Sequence, residues 1–479
     1  MQKTFLSSLL ITIFLNLLIK PLALFGIDAT VQNRVGPEEY GLYFSLLNLS
    51  VILNMLLDLG INNYTIKSIA QKPDIAKRYF GKIFTFRLIL FLIYFSALML
   101  FAFVLNYSSK AIFIMTILGI NQFFVMSTAY CRSHFSGFHF FKLDALISVL
   151  DRFLLILIGG MFLFSSFTKM KMTIELFVWI QFFCYFSTFC VALFLLLKHV
   201  EKPFINWDLN FSLNFIKKSL PYAVLIVLMT LYTRMDGVML ERIHPNGAYE
   251  SGIFAQGFRL LDALYMFGMI FAGLLFPMFS KQLKNDIDGV KPLLKSSGNL
   301  LMSGAILIVV VTVFNANFLL GLIYDKASES VPAFQWLMFG FLAICMNFIF
   351  GTLLTANGNL RLLNISSAFG IILNVGLNFY LIPEYGAAGS AFASFVTQTF
   401  ISLIQFIYCL KVFKLAVSLK TIFNFSIFIT LLFLASKWQS SGIYLIISQL
   451  MIGVSLMFLL SFINLKNLKD LALRNPNFK

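Results

Sequence analysis

Charge is what this sequence has least of. Only 12% of its 479 residues are Asp, Glu, Lys or Arg, and 59% are apolar. A soluble domain carries about 25% charged residues, so a folded soluble chain of this length is excluded. Disorder is excluded too, because it needs low hydrophobicity. Cysteine is scarce: Cys131, Cys184, Cys190, Cys345 and Cys409 form no CxxC pair, which leaves no zinc motif and no disulfide framework. The four histidines show no HExxH spacing, and His134 and His139 are read as sharing one loop. No GxxxxGK[ST] run is present, so no nucleotide site of that type is expected. No cofactor or metal is predicted.

What is there instead is a succession of long apolar runs, with phenylalanine alone contributing 58 residues. Runs of about 20 apolar residues each suffice to span a bilayer as a helix. Fourteen spans are predicted: 4–28, 41–65, 83–105, 111–131, 143–165, 174–197, 219–241, 253–279, 298–323, 333–356, 362–382, 387–410, 421–436 and 442–464. The fold class is therefore an all-α polytopic membrane protein. The opening run imitates a signal peptide, but no small-x-small site follows Ile19, so it is read as a span that stays.

Basic residues outnumber acidic ones, 36 to 20, for a net charge of +16. No basic stretch interleaved with aromatics is long enough to hold nucleic acid. The positive-inside rule accounts for the excess. With an inside N-terminus, 25 Lys and Arg are assigned to inner segments, counting Arg87 at the entry of the span 83–105 with the inner loop, seven to outer ones and four to span interiors (Lys20, Arg152, Arg234, Arg259). Both termini are expected in the cytoplasm.

The chain repeats itself at long range. Asp28-x5-Arg34-x2-Pro37 closes the first span and Asp236-x5-Arg242-x2-Pro245 the seventh, 208 residues later. A glycine enters the following span each time, in Gly41-Leu-Tyr43 and Gly252-Ile-Phe254. Gly137 and Gly358 echo the same division before spans 5 and 11. Two six-helix lobes are predicted, at 1–200 and 215–410, with spans 13 and 14 and a cytoplasmic tail in 411–479. Six spans is an even number, so both lobes insert the same way, as in transporters built from parallel repeats.

The stretch from Asn33 through Gly36-Pro-Glu-Glu-Tyr-Gly-Leu-Tyr43 to Leu57-Asp-Leu-Gly-Ile61 resembles the start of O-antigen and polysaccharide flippases. These belong to the multidrug/oligosaccharidyl-lipid/polysaccharide exporter superfamily. Leu381-Ile-Pro-Glu-Tyr-Gly-Ala-Ala-Gly-Ser-Ala-Phe-Ala-Ser394 resembles that family's junction between spans 11 and 12. The resemblance implies alternating-access export of an oligosaccharide on a polyprenyl diphosphate, from the inner to the outer leaflet of a bacterial inner membrane. It implies membrane lipids and polysaccharide-assembly proteins as partners. It also implies a central cavity lined by spans 1, 2, 7 and 8.

Those four spans carry polar rows at helical spacing. They are Thr12, Asn16 and Lys20; Ser50, Asn54, Asp58 and Asn62; Thr230, Arg234 and Glu241; and Gln256, Arg259 and Asp262. Ionisable residues at membrane depth cost about 2.5–3.5 kcal/mol each, which makes them functional by default. Lys20, Arg259 and Arg234, with Asn16, Asn54 and Gln256, are the expected substrate contacts, because cations and N–H donors suit a diphosphate. Asp58, Asp28, Asp236 and Asp262 are the expected ion-coupling or gate residues. Arg152 and Asp151 are read as a structural pair. Two rival activities share this hydropathy. A drug or cation antiporter of the same superfamily would favour buried carboxylates over cations. A polysaccharide polymerase or ligase would need a large outer loop, whereas these are about five to twelve residues long.

Overall fold

The computed structural model describes residues 15–164, 171–200, 209–285, 289–416, 418–437 and 442–463. Thr12, the first residues of span 1 and the basic tail from 464 lie outside the described residues. Among the described residues each of the fourteen predicted spans is mostly helical, spans 2 and 9 with a break. Helices are the economical answer here, because lipid offers no partner to a backbone N–H or C=O.

Helix α1 covers residues 15–35 and α2 runs Pro37–Leu53, followed by a 3₁₀ turn at Asn54–Leu57 and α3 at Ile61–Gln71. Then come α4 Ile75–Val104, α5 Ser109–Gly137, α6 Phe141–Phe164, α7 Ile174–Leu197, α8 Leu209–Ile243 and α9 Gly247–Asn285. The chain continues through α10 Val290–Phe314, the short α11 Ala316–Gly321, α12 Ala327–Ala356, α13 Leu360–Val412, α14 Leu419–Ser436 and α15 Ile443–Leu459. Ten described helices are long and apolar enough to cross a membrane, and α15 is a shorter apolar one.

Helix α13 accounts for two predicted spans. Its 53 residues break at Gly386 (φ 50°, ψ −128°), three residues after Pro383. Proline removes a helical donor, and glycine accepts the positive φ that follows. A Cβ at Gly389 would lie 2.6 Å from the Leu381 carbonyl oxygen, so the corner is too tight for a side chain. Helix α5 runs six residues past its predicted end and takes His134 with it. That residue is therefore a buried helical histidine bonded to the Tyr130 carbonyl at 3.0 Å, and not a loop residue.

The chain forms two compact units, one of residues 1–242 and 246–252, the other of 243–245 and 253–479. This division by contact places α8 in unit 1, whereas the predicted repeat boundary lies near 200–215. In unit 1, Phe80 stacks on Tyr130 with centroids 5.9 Å apart, within a core drawn from α3 to α7. In unit 2, α14 and α15 dock on α10 through Phe428, Leu432 and Met457 against Ile306, Leu307 and Val311. A polar chain fixes that docking. Asn315 donates to Gln449 (2.9 Å), Gln449 to the Ser436 hydroxyl (2.7 Å), and the Gly442 N–H to Asn315 Oδ1 (3.1 Å). Spans 13 and 14 are thus an integral part of unit 2.

Candidate functional site

Helix α1 is irregular next to Lys20. Pro21 cannot donate, and the seven residues Leu22–Asp28 wind as a π-helix, with the Ala29 N–H reaching back to the Leu24 carbonyl. Such segments recur at functional sites. Lys20 sits on one flank of it, half-buried. Its electrostatic neighbours are Arg152, Asp151 and Arg132. Arg132 is held by Asp144 at 2.7 Å. Arg152 lies 3.5 Å from Asp151 and 5.8 Å from the Tyr185 ring, and interacts with Asp28 and Tyr43 as well. Its side chain remains 38% exposed.

Two cations, Lys20 and Arg152, therefore share one region of unit 1. Asp151, 3.5 Å from Arg152, and Asp28 offset part of this charge, and a guanidinium offers phosphate a matching planar fork. Sequence reasoning assigned Arg152 to Asp151 alone; the signal it lacked is Tyr185, which comes from another helix. Asn16 does not stand beside Lys20 as a free contact. It donates to the Ser148 hydroxyl at 3.1 Å and joins α1 to α6.

The expected row on span 2 is not one continuous face. The α-helix ends at Leu53, and Leu59 (φ 44°) and Gly60 (φ 83°) adopt left-handed backbone. The chain restarts as α3 with Asp58 capping it, accepting the Asn62 N–H at 3.2 Å. Asn54 turns to Gln122 on α5 (3.1 Å). Asp58 meets Arg87 of α4 at 3.6 Å. Arg87 had been counted with the inner-loop cations; it is 3% exposed and lies 5.1 Å from the Tyr130 ring centroid. Its Nε and Nη1 have no hydrogen-bond partner among the described residues, and neither does the Tyr130 hydroxyl.

The two Asp-x5-Arg-x2-Pro units end in a reciprocal glycine contact within unit 1. Gly36 (φ 87°) closes α1 and Pro37 opens α2. A Cβ on Gly41 would fall on the Ala248 carbonyl, and a Cβ on Gly252 on the Pro37 carbonyl. Gln32 donates to the Gly252 carbonyl (2.8 Å), and Tyr40 donates to buried Asp28 (2.7 Å). Asp236 is fully buried on α8. Arg242 engages Glu241 (2.9 Å) and stacks 3.5 Å over the Tyr107 ring. Tyr107, in the turn between α4 and α5, donates to Glu241 at 3.1 Å. Burial, reinforced by the Glu241 charge, pushes its phenol above the usual range and keeps it a neutral donor. Arg234, on the same helix, is half-buried.

In unit 2 the row on span 8 divides by environment. Gln256 is 2% exposed and accepts the Ser330 hydroxyl at 2.8 Å, which makes it a tie between α9 and α12. Arg259 and Asp262 are 3.9 Å apart at i, i+3, with side chains 12% and 25% exposed.

The sequence profile described as polysaccharide biosynthesis protein matches residues 5–283. An uncharacterised membrane protein of Methanocaldococcus jannaschii is 24% identical over 216 residues, which span 43% of this chain and 48% of that protein. The solved structure of the lipid II flippase MurJ, in an inward closed conformation, superposes with a TM-score of 0.71 at 14% identity. That match covers 94% of this chain and 98% of the other. An outward-facing multidrug resistance MATE family transporter of the MOP superfamily gives a TM-score of 0.61 at 14% identity, over 85% and 94% of the two chains. At these identities the two likenesses establish the fold of the chain.

Proposed function

Because the chain belongs to the polysaccharide biosynthesis protein family, we propose that it is a flippase which moves a polyprenyl-diphosphate-linked oligosaccharide from the inner to the outer leaflet. Its place is the bacterial inner membrane, with both termini in the cytoplasm, and its product feeds cell-surface polysaccharide assembly. The observation that carries this reading is the pairing of Lys20 with Arg152 beside the π segment of α1. Two cations held together at membrane depth suit a diphosphate. Arg259 in unit 2, 3.9 Å from Asp262, supplies a further cation. Arg234 is a further substrate contact, and Asp28, Asp58, Asp236 and Asp262 act as counter-charges or in gating.

The energetics favour export by alternating access without nucleotide hydrolysis. Each negative charge leaving an inside-negative cell gains about 2.3 kcal/mol per 100 mV, or about 4.6 kcal/mol for two. The prenyl tail stays in lipid, so only the head group needs a polar route. The fold shared with a MATE transporter supports a second reading, a drug or cation antiporter. A cationic drug would be repelled by Lys20 and Arg152, which ranks this reading below the first.

Charge reversal separates them. Lys20→Glu, Arg152→Glu and Arg259→Glu should each abolish surface polymer display in cells at normal membrane protein levels. Replacement by Ala should weaken substrate binding by roughly ten- to hundredfold, the equivalent of one charge-assisted contact. Arg259→Lys should recover part of that loss, since an ammonium is a point charge. Normal display from well-inserted reversal variants would remove the cationic site.

A further inference from the structure

Unit 2 contains a cavity of about 460 Å³, lined by residues of α9 between Phe271 and Met278, of α10 between Pro292 and Leu300, and by 461–463 after α15. Its volume falls in the ~300–1,000 Å³ range of small-molecule sites. The deep wall is apolar, with Leu275 and Leu293 buried and Phe462 tied into the α10/α14 core. Leu274 on its edge is 48% exposed, on a helix long and apolar enough to cross a membrane. In a bilayer, a cavity opening at such a surface is reached by lipid.

One stretch of this wall is polar. Lys295, Ser296 and Asn299 all line it. Lys295 and Asn299 are at i, i+4 and Ser296 and Asn299 at i, i+3, so the three share one face of α10. Lys295 forms no ion pair, and Ser296 and Asn299 form no side-chain hydrogen bond, among the described residues. Ser297 next to them is satisfied by the Leu293 carbonyl at 2.8 Å, so the open donors are particular to these three positions. The segment 281–295 carries four lysines and two aspartates, which leaves it net positive. Basic pockets between membrane helices at this charge balance take anionic head groups on the cytoplasmic side.

The geometry points to a resident anionic phospholipid in unit 2. One acyl chain fills the cavity along α9, and the phosphate sits on the Lys295 ammonium with Ser296 and Asn299 donating to its oxygens. The site is separate from the flippase cations. Phe271 is the cavity residue nearest in sequence to Arg259 on α9, and it lies twelve residues on, about 18 Å of helix rise. It also stands independently of the transport reading.

Native mass spectrometry of the purified full-length protein tests this, with phosphatidylglycerol or phosphatidylcholine of identical acyl chains added to the micelles. Wild type should retain phosphatidylglycerol about tenfold better. Lys295→Glu should lose that preference, and Lys295→Arg should keep it. Ser296→Trp, which fills the cavity, should lower retention of both lipids while leaving the thermal midpoint measured without added lipid near wild type. Equal retention of the two lipids by wild type would overturn the proposal, and so would an unchanged preference in Lys295→Glu. Displacement of bound phosphatidylglycerol by an equimolar short-chain polyprenyl phosphate would overturn it as well, by assigning the cavity to the carrier lipid.

Discussion

A guanidinium that is 3% exposed in a membrane helix depends on its carboxylate, and Arg87 has Asp58 at 3.6 Å. Breaking a buried pair from one side costs about 3–5 kcal/mol, because the surviving charge is left uncompensated. Asp58→Ala should therefore lower the thermal midpoint of the purified protein strongly. Asp58→Ala combined with Arg87→Met should recover most of the loss, short of about 1 kcal/mol for the missing cap on α3. A double variant as unstable as the sum of the singles would show that the two residues are not coupled. Arg87 was hard to read in the sequence for a physical reason. It sits nine residues after Arg78 and five after Lys82, in a cluster that charge counting assigns to the inner loop. Only the arrival of Tyr130 and Asp58 from other segments makes it a core residue. Lys20 and Arg259 are conspicuous in the sequence, because a cation within an apolar run stands out by itself. Gln256 reads in the sequence as a substrate contact, but it is 2% exposed, and the Ser330 hydroxyl that occupies it comes from 74 residues away.

At the scale of elements, the breaks carry more information than the spans. The spans follow from hydrophobic run length, and the junction between spans 11 and 12 was placed correctly because Pro383 and Gly386 mark it. The break in span 2 has a comparable signal in Asp58-Leu-Gly60, yet the i, i+4 polar row invited a continuous helix across it. The π segment in α1 had only Pro21 to announce it. The glycine contacts at Gly41 and Gly252 give a sharp test of how α2 meets the first turns of α9. Gly41→Ala and Gly252→Ala each place a methyl group on a backbone carbonyl. Each should cost about 1–3 kcal/mol of stability, as overpacking does, and reduce transport. Gly304→Ala in α10, where a Cβ meets nothing within 4 Å, should be neutral or stabilising by up to about 1 kcal/mol. Thermal midpoints of the three variants in one detergent decide the matter. Equal midpoints would mean that the close approach at Gly41 and Gly252 does not limit the fold.

The whole molecule is a multi-span membrane protein with the fold found in MurJ and in MATE transporters. Its orientation rests on 25 inner against seven outer basic residues. Reporter fusions after Lys110, Lys171 and Lys437 should read outside; two of the three reading inside would reverse it. The central claim, export of an anionic lipid-linked sugar, is tested most directly in proteoliposomes. The purified chain is reconstituted with a fluorescent oligosaccharide on a short polyprenyl diphosphate, and head-group movement is read by a membrane-impermeant quencher. Movement should require the protein and should quicken when the leaflet of origin is made electrically negative. It should fall to the protein-free rate in Lys20→Glu. Movement no faster than in empty vesicles, or equal transport of the same sugar on an uncharged prenyl alcohol, would contradict the account.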